Sequence, residues 1–147
     1  MRKLKLMLMP LLLIGFLSVS CNNDDDSSDN NVDKIVGKWK ISDAWVGGES
    51  VYAQLLSVAY CPLQNEYNFM NDLTLRINTF EEGITPENCA PGVPITGSWS
   101  VNNNVYSVTF DDTGETSSST ADFQNNNTFT TQTTFEGESV LLEFTRQ

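Results

Sequence analysis

"VNNNVYSVTFDDTG", residues 101–114, holds the pattern that decides the fold. From Val105 to Phe110 the side chains alternate, with Tyr106, Val108 and Phe110 on one side and Val105, Ser107 and Thr109 on the other. Alternation in a stretch rich in Val, Thr, Phe and Tyr marks a β-strand, because successive side chains of an extended chain point opposite ways. The flanks are turn chemistry: Asn102–Asn104 and Asp111–Gly114 supply residues that accept positive φ or bond their own backbone. A strand enclosed by such short turns has antiparallel neighbours.

The same reading extends in both directions. "TFTTQTTF" (128–135) places Phe129 and Phe135 at matching parity, and "SVLLEF" (139–144) does so with Val140, Leu142 and Phe144. "LTLRINTF" (73–80) sets Leu73, Leu75 and Ile77 against Thr74, Arg76 and Asn78. With the turns "NNN" at 125–127 and "EGE" at 136–138, strands are predicted near 36–46, 65–70, 73–80, 96–101, 105–110, 116–123, 128–135 and 139–146. Eight consecutive, hairpin-linked strands leave no open edge if the sheet closes, so the expected fold is all-β, an eight-stranded antiparallel up-and-down barrel. A barrel of that size holds either packed side chains or one small ligand. "ESVYAQLLSVAY" (49–60) interrupts the meander, with Val51, Leu55, Val58 and Ala59 at roughly helical spacing. It is either a short helix or a long first loop across one barrel end.

The front of the chain is different. Arg2, Lys3 and Lys5 precede an apolar run from Leu6 to Leu17 and the small exit Ser18-Val19-Ser20, the layout of a secretory signal peptide over residues 1–20. Twelve apolar residues fall short of the roughly 20 that span a bilayer. "LSVSC" resembles the lipobox of bacterial lipoproteins, which implies that Cys21 becomes the lipidated first residue of the mature chain. The pattern usually has Leu three residues before the cysteine; here Ser18 stands there and Leu17 one further back. Residues 21–33 then read as an acidic, structureless tether between acyl anchor and body, and 34–147 as the folded domain. Asp24-Asp25-Asp26 resembles the signal that sends such lipoproteins to the cell surface, so the expected location is the outer membrane or cell surface. Those three acids lack the fixed oxygen cage and turn-forming Gly of a calcium loop.

Loss of the signal removes three of the 8 basic residues and none of the 19 acidic ones, leaving five against nineteen, a formal charge of −14. Such a surface repels phosphate backbones, so nucleic acid is not expected as a partner.

"IVGKWKI" (35–41) opens the first strand with Gly37 and Trp39 in a Gly-x-Trp arrangement, which resembles the opening motif of lipocalins. Lipidated cysteine, acidic tether, Gly-x-Trp, Cys61, Cys89 and "TGSWS" (96–100) follow one another as in the lipocalin-like lipoproteins of Bacteroidetes, over essentially the whole mature chain. The resemblance implies that Trp39 closes the barrel floor and that Cys61 and Cys89 form a disulfide, in keeping with an oxidising compartment. It also implies a small hydrophobic ligand. Trp45, Tyr52, Tyr67, Phe69 and Trp99 are the candidate ligand-binding residues, and the same aromatics are equally the material of a solid core. A domain short for a ligand carrier, with no C-terminal helix, fits the second option.

Chemistry beyond binding finds no foothold. The chain has no His, which removes Ser-His and Cys-His pairs and the usual zinc sites. Glu81-Glu82 and Asp111-Asp112 are adjacent acids that point apart on a strand or face water in a turn, and "DDTGE" (111–115) lacks the spaced ligands of a calcium loop. No catalytic residue, metal or cofactor is assigned. Two functions are expected: a membrane-anchored binding module for a small hydrophobic ligand, or an interaction module with a solid barrel that meets an envelope protein partner. An interior cavity of about 300 Å3 or more favours the first.

Overall fold

Each run of alternating apolar and hydroxyl-bearing residues buries one face by pairing with its neighbour, and the last strand closes on the first. The computed structural model describes residues 32–83, 88–135 and 137–147. The signal segment, Cys21 and the acidic tether up to Asn31 lie outside the described residues. In chain order the elements are β1 (Gly37–Val46), β2 (Glu49–Ser50), α1 (Tyr52–Val58), β3 (Glu66–Phe69), β4 (Thr74–Asn78), β5 (Phe80–Glu82), β6 (Cys89–Pro91), β7 (Ile95–Asn102), β8 (Val105–Phe110), β9 (Thr116–Asn125), β10 (Thr128–Phe135) and β11 (Glu138–Arg146). Eight of these strands form a closed antiparallel barrel in the order β1-β3-β4-β7-β8-β9-β10-β11, with β11 returning to β1. Strand β2 is a short flap on β1, and β5–β6 is a separate two-stranded ribbon.

The end where β1 begins is the floor. Tight turns close the floor where the sequence predicts them: Asn103 and Asn104 both take positive φ, the geometry that joins two twisted strands with two residues. Trp39 is fully buried there, and its Nε1–H donates to the Ile35 carbonyl at 2.7 Å. Arg146, at the end of β11, lies over the indole with its guanidinium carbon 4.3 Å from the ring centroid. That guanidinium also donates to the carbonyls of Lys34, Val36 and Asn126 at 2.7 to 2.8 Å. Gly37 has φ +143°, and a Cβ there would overlap the Arg146 guanidinium. The Gly-x-Trp pair is therefore a floor device, with Arg146 as the third member.

At the other end, α1 occupies part of the 49–60 stretch and a 3-10 turn follows at Pro62–Gln64. The helix resolves the alternative of helix or loop, although its predicted apolar face does not pack as one: Val58 is 73% exposed. The disulfide Cys61–Cys89 forms, tying the 3-10 turn to β6. Leu63, next to it, is buried.

Two strand expectations are corrected. Leu73 does not share the buried face of Leu75 and Ile77; it sits before β4 at φ +66° and is exposed, because the turn bonds Asp72 Oδ1 to the Thr74 amide and hydroxyl. Phe135 has the parity of Phe129 but is 61% exposed, because β10 there has only β11 beside it.

Candidate ligand cavity

The inward faces do not fill the barrel. The core gathers Ile35, Trp39, Leu75, Ile77, Trp99, Ala121, Phe129 and Phe144, concentrated toward the floor. Phe129 and Phe144 stack at 4.8 Å, Trp39 meets Phe129 edge-on at 4.8 Å, and Tyr67 meets Phe144 edge-on at 5.2 Å. Above this cluster lies a cavity of about 570 Å3. One wall is apolar, from Tyr67 and Phe69 on β3, Leu75 and Ile77 on β4, and Val108 and Phe110 on β8. The opposite wall carries hydroxyls from Ser117 and Ser119 on β9 and Thr131 and Thr133 on β10. Leu142 and Phe144 of β11 complete it. The cavity is therefore two-faced, with aromatic and aliphatic surface on one side and neutral hydrogen-bonding groups on the other.

The phenols inside are held neutral. Burial pushes the Tyr67 hydroxyl above its ordinary value, and burial does the same at Tyr106, reinforced by its hydrogen bond to Asp33 and the carboxylate's charge. Tyr106 donates that bond to Asp33 Oδ1 at 2.8 Å, and the same oxygen accepts the Ile35 amide at 2.9 Å. The segment 33–36 is thereby locked beneath the cavity.

Of the five aromatic candidates, Tyr67 and Phe69 line the cavity and three do not. Trp45 points out of the barrel. The register between β1 and β11 shifts at Ser42, where one extra residue bulges from β1, so Ala44 turns in and Trp45 turns out. Outside, Trp45 lies with Leu141, Thr130 and Gln132 along an open groove. Tyr52 begins α1 and donates from its hydroxyl to the Ile41 carbonyl at 3.2 Å, so it braces the helix on β1. Burial raises its pKa as well, with the negative charge of Asp43 adding to the effect. Trp99 is buried, with Nε1–H donating to the Met70 carbonyl at 3.0 Å and its ring against Phe69 and Tyr106. It is core. The hydroxyl wall was not singled out from sequence: "SSST" and "TTQTT" read as ordinary strand, although the parity of Ser117, Ser119, Thr131 and Thr133 places them inside.

A closed eight-stranded antiparallel barrel with a floor tryptophan and an internal two-faced cavity defines a class: small barrels built around an interior pocket. The chain belongs to the lipocalin-like domain family, whose model matches residues 35–131. Among solved structures it is similar to a lipocalin-like protein from Bacteroides uniformis, at 12% identity with a TM-score of 0.53, covering 78% of this chain and 100% of that one. A second similar structure is an uncharacterized protein from Bacteroides eggerthii, at 11% identity and a TM-score of 0.49, covering 76% of this chain and 98% of that one. At 12% identity the likeness to the first is one of fold. No curated protein matches the sequence.

Proposed function

We infer that this chain is a lipid-anchored binding protein of the cell envelope, whose barrel holds one small hydrophobic ligand. The observation that carries the reading is the 570 Å3 cavity with an apolar wall on β3, β4 and β8. It exceeds the ~300 Å3 at which a pocket takes up a small molecule, whereas an interaction module needs no such space. The ligand is held and not converted: among the described lining residues there is no carboxylate, and the chain has no His to serve as base. Anchoring through an acylated Cys21, with the acidic residues that follow it as the tether and Asp33 bonded into the body, is part of the same proposal, and more than one acyl chain makes such attachment stable.

The test uses residues 22–147 and the uncharged fluorescent probe N-phenyl-1-naphthylamine. Saturable binding at one site is expected, lost in Val108→Trp, which fills the cavity, and retained in Trp45→Ala, which alters the outer groove. Saturable binding that survives Val108→Trp and disappears in Trp45→Ala moves the site outside the barrel.

A further inference from the structure

Strand β9 changes partners halfway along. Thr116–Thr120 pair with β8, and Ala121–Asn125 pair with β10, so no residue of β9 above Ala121 is bonded in register to β10. On the other side of this fork, Gln132–Phe135 of β10 pair with β11. Two strand edges thus face each other across an unzipped stretch of wall. The fork is pinned by Thr131, whose hydroxyl donates to the Thr120 carbonyl and shares a hydrogen bond with the Ser119 hydroxyl, each at 2.8 Å. Above the pin, the cavity is lined both by inward Ser117 and Thr133 and by Ser118, Gln132 and Thr134, whose parity puts them on the outside. Residues of both faces border one space here, as they do where a space passes through a wall whose strands are unpaired.

The charges around the cavity are equally informative. The body of the protein has five cations, and every one lies elsewhere. Arg146 is committed to three floor carbonyls, and Lys40 pairs with Glu66. Arg76 donates to Asn78 on the outer face of β4, Lys38 shares the outer parity of Lys40, and Lys34 lies at the floor. None lines the cavity. A carboxylate or phosphate drawn inside would have no counter-charge, and burying an uncompensated charge is far more costly than burying a hydroxyl.

We propose that the slot between β9 and β10 is the ligand's doorway and the seat of its polar end, and that it selects an uncharged amphiphile. The apolar body lies against Phe69, Ile77 and Val108, and a hydroxyl or carbonyl group hydrogen-bonds to Ser117, Ser119 and Thr133 at the slot. This rests on the interior-binding reading and adds to it the ligand's charge class and its route.

The experiment displaces bound N-phenyl-1-naphthylamine from residues 22–147 with dodecanol and with dodecanoate at pH 8. Dodecanol is expected to compete at least about tenfold better, and dodecanoate to improve as pH falls toward about 5 and its carboxyl protonates. Ser117→Arg, which supplies a cation at the doorway, should reverse the preference. Gln132→Trp, which thickens the outer lip, should slow probe association several-fold. Equal competition by the two chains at pH 8 with no gain on acidification overturns the charge class, even if Ser117→Arg does not fold. Unchanged association in Gln132→Trp overturns the route. Either failure, with the probe still bound in the interior, leaves the cavity reading standing; absence of saturable probe binding removes both.

Discussion

At the scale of single residues, the floor is where one change carries furthest. Arg146 joins the last strand to the entry segment through the Lys34, Val36 and Asn126 carbonyls and covers Trp39 at the same time. Arg146→Met keeps some packing but leaves three carbonyls to half-buried water, and should cost about 1–3 kcal/mol in chemical denaturation. Gly37→Ala meets both the +143° backbone and that same guanidinium, and a loss of about 1–3 kcal/mol is expected. A melting temperature unchanged by either substitution would show that the floor clasp is not what holds the entry segment. The phenols give a different signature. Tyr52, Tyr67 and Tyr106 all have pKa values raised from the ordinary 10.0, so the folded state disfavours their phenolates. Their contribution to stability is complete below pH 10 and is lost as pH rises through the higher folded values. Melting temperature should therefore hold steady to about pH 9.5 and fall beyond it, with the 295 nm absorbance of the folded protein titrating later than that of the unfolded chain. Tyr106→Phe should flatten the alkaline fall, and an equally steep fall in that variant would place its cause elsewhere.

Among the elements, strand identity was legible in sequence because a half-buried strand needs period-two alternation, and the predicted runs coincide with all eight barrel strands within a few residues. What alternation does not encode is a break in its own phase. The extra residue at Ser42 is stabilised by tertiary bonds: its hydroxyl donates to Glu143 Oε1 at 2.8 Å and accepts from Thr145 at 2.9 Å. A local reading therefore continues the parity of Trp39 straight through to Trp45 without seeing the slip. The partner switch in β9 is hidden for a related reason, since nothing in "TSSSTADFQN" marks the point at which the strand beside it changes. Ribbon β5–β6, three residues a side with Pro91 at its end, is too short to leave a periodic trace. That ribbon depends on the disulfide that closes a separation of 28 residues. Reduction, or Cys61→Ala with Cys89→Ala, should lower stability by about 3–4 kcal/mol on chain-entropy grounds. The loss is read as a shift in the urea midpoint, and a shift below about 1 kcal/mol would mean that the upper end holds together through Leu63 packing alone.

For the molecule as a whole, the candidate site was half legible: Tyr67 and Phe69 were visible as candidate aromatics, whereas the hydroxyl wall and the slot exist only through the pairing of distant strands. Charge was legible throughout, because it depends on counting and not on geometry, and it bears on the proposed anchoring. A body whose five basic residues are scattered among its acids has no polybasic patch for an anionic membrane; the formal charge of the full chain is −11 even with the basic leader included. Electrostatics thus oppose surface adsorption, and in the anchoring proposed above acylation at Cys21 would supply the whole attachment. Each buried methylene of an acyl chain contributes ~0.8 kcal/mol, so two or three chains on Cys21 would outweigh the repulsion of an acidic protein. Cys21→Ser is accordingly expected to move the protein from the membrane fraction to the soluble fraction completely, at low and at high salt, with the barrel's melting temperature unchanged. The same variant should lose the mass of the acyl groups on the mature N-terminus. A Cys21→Ser protein still sedimenting with membranes in high salt would show that the body, through its exposed Phe135 or its Trp45 groove, makes its own apolar contact with the envelope.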